Sequence, residues 1–186
     1  MNIAVFTGDS FHFRPDSTLN HEVIDYYVPD GVEKLLFVPC IYGRISKAGK
    51  AVQPKFAGRY CSEYGFGCLI DDVTEGVPYG EAHSLDRTSA LREHFLSAEE
   101  CRTRSFFFSA GNGKESFLEN GEQIPAMIGE AITFITRRSS FRRGDYVVVP
   151  LSEGFPVEIG DKITMEAAPL GATSDKEPIT RSFSIL

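Results

Sequence analysis

The stretch EKLLFVPCIYGRISKAGK, residues 33–50, decides how the chain folds. From Leu35 to Ile45 it is almost continuously apolar, the pattern of a strand buried on both faces. Pro39 interrupts it. A proline has no N–H for a ladder, so a bulge or an edge position is expected there. The stretch runs out into a basic turn between Arg44 and Lys50. Its middle, Val38-Pro39-Cys40, offers no group suited to hold a hard metal ion or move a proton.

Outward from this strand, the neighbouring segments are short and varied. Residues 2–6 read as a strand, Thr7 to Ser10 as a turn. Phe11-His12-Phe13 reads as a second strand, stopped by Arg14-Pro15-Asp16-Ser17. Tyr26-Tyr27-Val28 is a further short strand candidate. Gln53 to Glu63 reads as a helix, with Pro54 in its first turn and Phe56, Tyr60 and Tyr64 recurring at i, i+4, i+8. Phe66 to Ile70 is a buried strand, residues 71–86 a loop, and 87–95 a short helix or strand. Ser105 to Phe108 and Glu115 to Leu118 are strands, and Asn120-Gly121 is a hairpin-turn signal because both residues tolerate positive φ. Ile124, Met127, Ile128, Ala131, Ile132 and Ile135 then fall at helical spacing, with Pro125 near the start and Arg137-Arg138 at the end. Tyr146 to Val149, a strand around Ile163 and residues 179–185 complete the pattern. Strands outnumber helices and do not alternate with them, which predicts α+β with a mixed or antiparallel sheet. A length of 186 residues suits one domain, residues 1–186.

The formal charge is −7 and the pI about 5.1. That balance speaks against nucleic-acid binding, which wants a basic field. The locally basic run is Arg137, Arg138, Arg142 and Arg143. No signal-peptide pattern and no apolar run of membrane-spanning length is seen, so no membrane partner is expected. Cys40, Cys61, Cys68 and Cys101 form no C-x-x-C pair and read as reduced thiols of a cytoplasmic protein.

Few constellations carry chemistry. Asp71-Asp72 ends a buried strand. It reads as a solvated turn or as an oxygen site for Mg²⁺ or Ca²⁺, although adjacent strand residues point to opposite faces. Among His12, His21, His83 and His94 none pairs at ligand spacing. His83, beside Glu81 and Asp86, is the acid–base candidate. Arg14-Pro15-Asp16-Ser17 reads as a turn, or as a carboxylate site built on the Arg14 guanidinium with Asp16 beside it. Residues 110–114, Ala-Gly-Asn-Gly-Lys, lack the spacing of a phosphate loop and read as a hairpin tip.

The segments FRPDSTL (13–19), YVPD (27–30), YGRISKAGKAVQPKFAGRYCSEYGFG (42–67), FLENGEQI (117–124), AITFITRRSSFRRGDYVVV (131–149) and PVEIGDKITME (156–166) resemble, in this order, the fumarylacetoacetate hydrolase family. The resemblance implies a mixed β-sheet roll with a few short helices and a homodimer. It also implies a Mg²⁺ or Mn²⁺ ion, held by carboxylates, that polarises a small diketo acid. It places the family's two metal-binding glutamates at Val38 and Cys40 and its aspartate at Leu69. The substrate-binding Arg and Gln fall at Val73 and near Gly76, and the threonine loop at Val148 to Leu151. The short run from Gly8 to Phe11 leaves no room for the family's lid helix with its His and Glu. The expectation is therefore a non-catalytic relative without metal cofactor, with a binding or regulatory role. It would take a small carboxylate or pair with a related active subunit. The alternative is a metal-dependent hydrolase, decarboxylase or isomerase of a small oxo-acid, its Mg²⁺ or Mn²⁺ site relocated to Asp71, Asp72, Glu75 and His83.

Overall fold

The computed structural model describes residues 1–111, 113–170 and 177–186. Its centre is the pair β3 (Leu35–Ile45) and β5 (Cys61–Asp72), antiparallel from Leu35↔Asp72 to Ile45↔Cys61. Around it, β1 (Ile3–Phe6), β2 (Phe11–Arg14), β6 (Ser89–Ala90), β10 (Tyr146–Pro150) and β11 (Phe155–Val157) make a seven-stranded sheet of order β2-β1-β10-β3-β5-β6, with β11 also on β3. The β1–β10 ladder is parallel and the other ladders of this sheet are antiparallel, so the sheet is mixed. A four-stranded antiparallel sheet orders β13 (Ile179–Ser184), β12 (Lys162–Pro169), β7 (Arg104–Ala110) and β8 (Lys114–Leu118). A two-stranded ribbon joins β4 (Gly49–Lys50) to β9 (Ser140–Phe141).

The long apolar run of β3 is buried on both faces, as its sequence predicts. The helices α1 (Tyr79–Ala82) and α2 (Ala98–Arg102) are short; Phe37, Ile41 and Ile45 enter the main core with the longer α3 (Ile124–Thr136) and residues of the second sheet. Val38, Cys40 and Tyr42 alternate into a smaller cluster on the opposite face with Ile3, Val5, Leu69, Leu91, Tyr146 and Val148. Pro39 is accommodated without a bulge of its own. β10 ends opposite Cys40 and β11 begins opposite Phe37, so Pro39 faces the gap between them. Its carbonyl accepts from Leu151 N–H at 2.9 Å. The irregularity in the β3–β5 register falls between Arg44 and Ile45 instead.

Local periodicity misreads two segments. Gln53 to Glu63 is not one helix: a 3-10 helix covers Pro54–Arg59 and β5 starts at Cys61. Gly58 weakens the helix there, and the ladder to Ile45 takes the chain from Cys61 onward. Asn120-Gly121 makes no hairpin. The Asn120 side chain accepts from Glu122 N at 2.8 Å and caps a 3-10 turn, Gly121–Gln123, leading into α3. The antiparallel pairing lies earlier, where Ala110 pairs with Lys114; Asn112 is outside the described residues. Ile124, Ile128, Ala131, Ile132 and Ile135 are buried along α3, as their spacing predicts.

The face carrying the smaller cluster is tightly built. A Cβ on Gly67 would overlap the carbonyl oxygen of Ala90, on the adjacent β6. Backbone cannot swing aside as a side chain can. Gly67→Ala is expected to lower stability by about 1–3 kcal/mol, the cost of overpacking a close approach, read as a drop in urea midpoint at unchanged slope.

Candidate functional site

The strand ends around the smaller cluster open into a cleft of about 570 Å³. Its apolar wall includes Val5, Leu36, Val38, Leu69, Val149 and Leu151, and its polar side carries His12, Asp71, Tyr79 and His83. Val38 and Leu69 are direct register partners across β3 and β5, and both line the cleft. Cys40, two residues along, is fully buried, and burial pushes its thiol well above the ordinary range.

Alternation along β5 separates the two adjacent acids. Asp71 lies two residues beyond Leu69 and shares its face, so it lines the cleft. Asp72 points the other way, is buried, and accepts from Thr74 N at 2.8 Å. Asp72 is a turn-stabilising group and no partner to Asp71. Glu75 is exposed and does not line the cleft.

Asp71 sits between a cation and an imidazole. Arg14 ion-pairs with it from beneath, and His83 Nδ1 lies 3.0 Å from its Oδ1. Burial alone would raise the Asp71 carboxyl. The His83 hydrogen bond and the Arg14 charge outweigh it and hold the carboxyl below its ordinary range. Arg14 is 1% exposed and also donates to Ile70 O at 2.9 Å and Thr88 Oγ1 at 2.7 Å. This placement corrects the expected role of Arg14 as a ligand-facing fork: both terminal nitrogens are used inside the protein, and Arg14 does not line the cleft. Asp16 is exposed, lies 3.6 Å from the N-terminal ammonium and does not line the cleft.

Two members of the site escape the sequence reading. His12 stacks on His83, ring centroids 4.4 Å apart, and Tyr79 hydroxyl lies 2.9 Å from His12 Nδ1. The available signals were spacing alone. Tyr79 and His83 are four apart across the short helix α1 (Tyr79–Ala82), and His12 and Arg14 alternate on β2.

Burial first, then the charges of His83 and Arg14, lower His12 from its ordinary 6.5 to about 4. Between those values the unfolded chain takes up a proton that the folded one refuses, so stability falls as pH drops through this window. Urea midpoints are expected to fall from pH 6.5 to pH 4, and to fall less in His12→Gln.

The wall around Val38, Cys40 and Leu69 supplies aliphatic groups and a buried thiol, a donor set that does not fit a hard divalent cation. Among the described residues, no group of three or more His, Cys, Asp or Glu side chains is placed to hold a metal ion.

The mixed sheet, its few short helices and the cleft at the strand ends define a fumarylacetoacetate-hydrolase-like fold. A protein from Yersinia pestis described as of the fumarylacetoacetate hydrolase family superposes with a TM-score of 0.75 at 15% identity, over 100% of this chain and 92% of that one. Fumarylpyruvate hydrolase from Pseudomonas aeruginosa, solved with Mn²⁺ and pyruvate, gives 0.73 at 14% identity over 100% and 89%. A yeast protein of the same family gives 0.73 at 12% identity over 99% and 92%. At these identities the likeness is one of fold. The sequence matches no protein-family model and no curated protein. No helix among the described residues is long and apolar enough to cross a membrane.

Proposed function

We propose that the chain is a non-catalytic binding protein on this scaffold, with a cleft that takes a small ligand and keeps no hard metal. One observation carries the reading. Val38 and Leu69, where the resemblance places two metal-binding carboxylates, face each other across β3 and β5 with aliphatic side chains. An apolar wall opposite Tyr79, His12 and His83 suits a ligand with an apolar body and a hydrogen-bonding end. A small carboxylate meets that description, held at the Tyr79 side of the cleft. The reading includes a cytoplasmic homodimer, or pairing with a related active subunit. Titration calorimetry with Mn²⁺ tests it. No saturable heat is expected, and micromolar binding that Asp71→Asn abolishes would sink it.

A second reading is favoured by the His83–Asp71 contact at 3.0 Å. A carboxylate holding Nδ1–H leaves the other imidazole nitrogen to accept a proton, the orienter–base arrangement of acid–base catalysis. Kept anionic by Arg14, Asp71 serves as orienter and His83 as base, for proton abstraction beside the ketone of a small oxo-acid. Deuterium uptake into pyruvate, followed by NMR in D₂O, separates the readings. Protein-dependent exchange that His83→Gln removes supports the enzyme, and exchange at the buffer rate leaves the binding protein.

A further inference from the structure

Residues 44–62 and 131–144 hold nine of the chain's 19 basic side chains and none of its 26 acidic ones. The β4–β9 ribbon sets Lys50 opposite Ser140 and so joins the two segments. Lys47, Lys50, Lys55, Arg59, Arg137, Arg138, Arg142 and Arg143 are all exposed. None of them forms an ion pair among the described residues. On a chain of net charge −7, this is a local concentration of exposed cations without ion-pair partners of their own among the described residues.

Aromatic rings hold several of these cations in place. Lys55 Nζ and Arg59 Cζ lie 4.9 and 4.7 Å from the same Phe56 ring, and Arg137 Cζ lies 6.0 Å from Phe134. Two like charges on one ring repel each other, and an external anion relieves that. Beside them runs a groove of about 560 Å³ between the 3-10 helix Pro54–Arg59 and α3. Ala57, Gly58, Ala126 and Gly129 give it small, largely apolar walls; Phe134, Arg137 and Glu130 line it too, Glu130 two turns of α3 before Arg137, while Lys55 and Arg59 stand next in sequence to the lining residues Pro54 and Gly58.

We propose that this groove docks an amphipathic peptide segment of a partner protein, apolar along its length and acidic at one end. Apolar side chains fill the groove, and carboxylates meet Lys55, Arg59 and Arg137. Glu130 selects against a uniformly acidic ligand. Phe56 is already covered by two cations and is not free to stack on bases, which disfavours a nucleic acid. A concave apolar groove also gives a flat lipid surface little to contact. The proposal uses no residue of the cleft, so it stands or falls independently of the function proposed there.

The test is fluorescence anisotropy with a labelled peptide of Leu and Ala carrying a cluster of Glu at one end. Saturable binding is expected, weakening as salt is raised. The triple variant Lys55→Glu/Arg59→Glu/Arg137→Glu should weaken it by about tenfold or more, as loss of charge complementarity does. Ala126→Leu fills the groove and keeps every cation, and should weaken binding comparably; circular dichroism checks that both variants fold. Absence of binding, or equal binding by the triple variant, overturns the proposal. So does tighter binding of a single-stranded oligonucleotide or of phosphatidylserine vesicles that the triple variant loses. A fall in sedimenting mass in the triple variant would assign the groove to a second copy of this chain and overturn it as well.

Discussion

Leu69→Asp is expected to lower the folding free energy by about 3–5 kcal/mol at pH 7, the range for an uncompensated charge placed in the interior. Leu69 is 1% exposed and packs among Val38, Cys40 and Val5 in the smaller cluster. The substitution removes apolar contacts and puts a carboxylate opposite Val38, with Asp71 as the next side chain on the same face. Asp71 already shares its cation and its imidazole, so the new charge has no partner of its own. Its pKa should rise, and the deficit should shrink as pH falls and the carboxyl protonates. Urea unfolding of wild type and variant at pH 7 and pH 5 reads both effects. A change below 1 kcal/mol, the size expected of an exposed site, would mean that the cleft wall is hydrated. The packed wall on which the binding-protein reading depends would then be gone.

Arg14→Met is the second large effect. It removes the cation beneath Asp71 and leaves Ile70 O and Thr88 Oγ1 without their donor. Breaking a buried pair from one side costs about 3–5 kcal/mol, and here the Asp71 carboxylate would keep only its His83 contact. Asp71→Asn alone strands the guanidinium in turn. The double variant should lose less than the sum of the single losses, since neither charge is then left alone. Additive losses in that cycle would show that Arg14 acts only through its backbone and hydroxyl acceptors. The Arg14 variant also frees the Asp71 carboxyl to rise toward its ordinary range. The deficit relative to wild type should therefore shrink as pH falls below that range, because wild type loses there the stability its depressed Asp71 carboxyl supplies and the variant has none of it to lose.

Much of the architecture is legible along the chain. The uninterrupted apolar run from Leu35 to Ile45 demands two buried faces, and it has them, split by alternation between the two clusters. The stripe from Ile124 to Ile135 forms the expected helix, and the strands on either side of residues 111–113 pair as antiparallel neighbours. Reading fails where local pattern and tertiary pairing compete. Tyr60 and Tyr64 keep helical spacing with Phe56, yet the ladder to β3 claims the chain from Cys61 onward. Asn120-Gly121 has turn chemistry, and a helix start uses it in place of a hairpin.

The site divides in the same way. Periodicity and residue type along the chain decide that Val38, Cys40 and Leu69 are strand residues without hard-metal donors, and that Asp71 and Asp72 face apart. Bringing His12 and Arg14 from residues 11–14 against Asp71, Tyr79 and His83 from residues 71–83 depends on the sheet curling, since β1, β10 and β3 stand between β2 and β5 and a bridge from Leu19 to Ser89 joins the two sides. Joining the basic segments at Lys50 and Ser140 depends on the β4–β9 pairing. Alternation acts between neighbours in sequence. Charge pairing and ring stacking act between groups that meet only after the sheet has closed the distance between them.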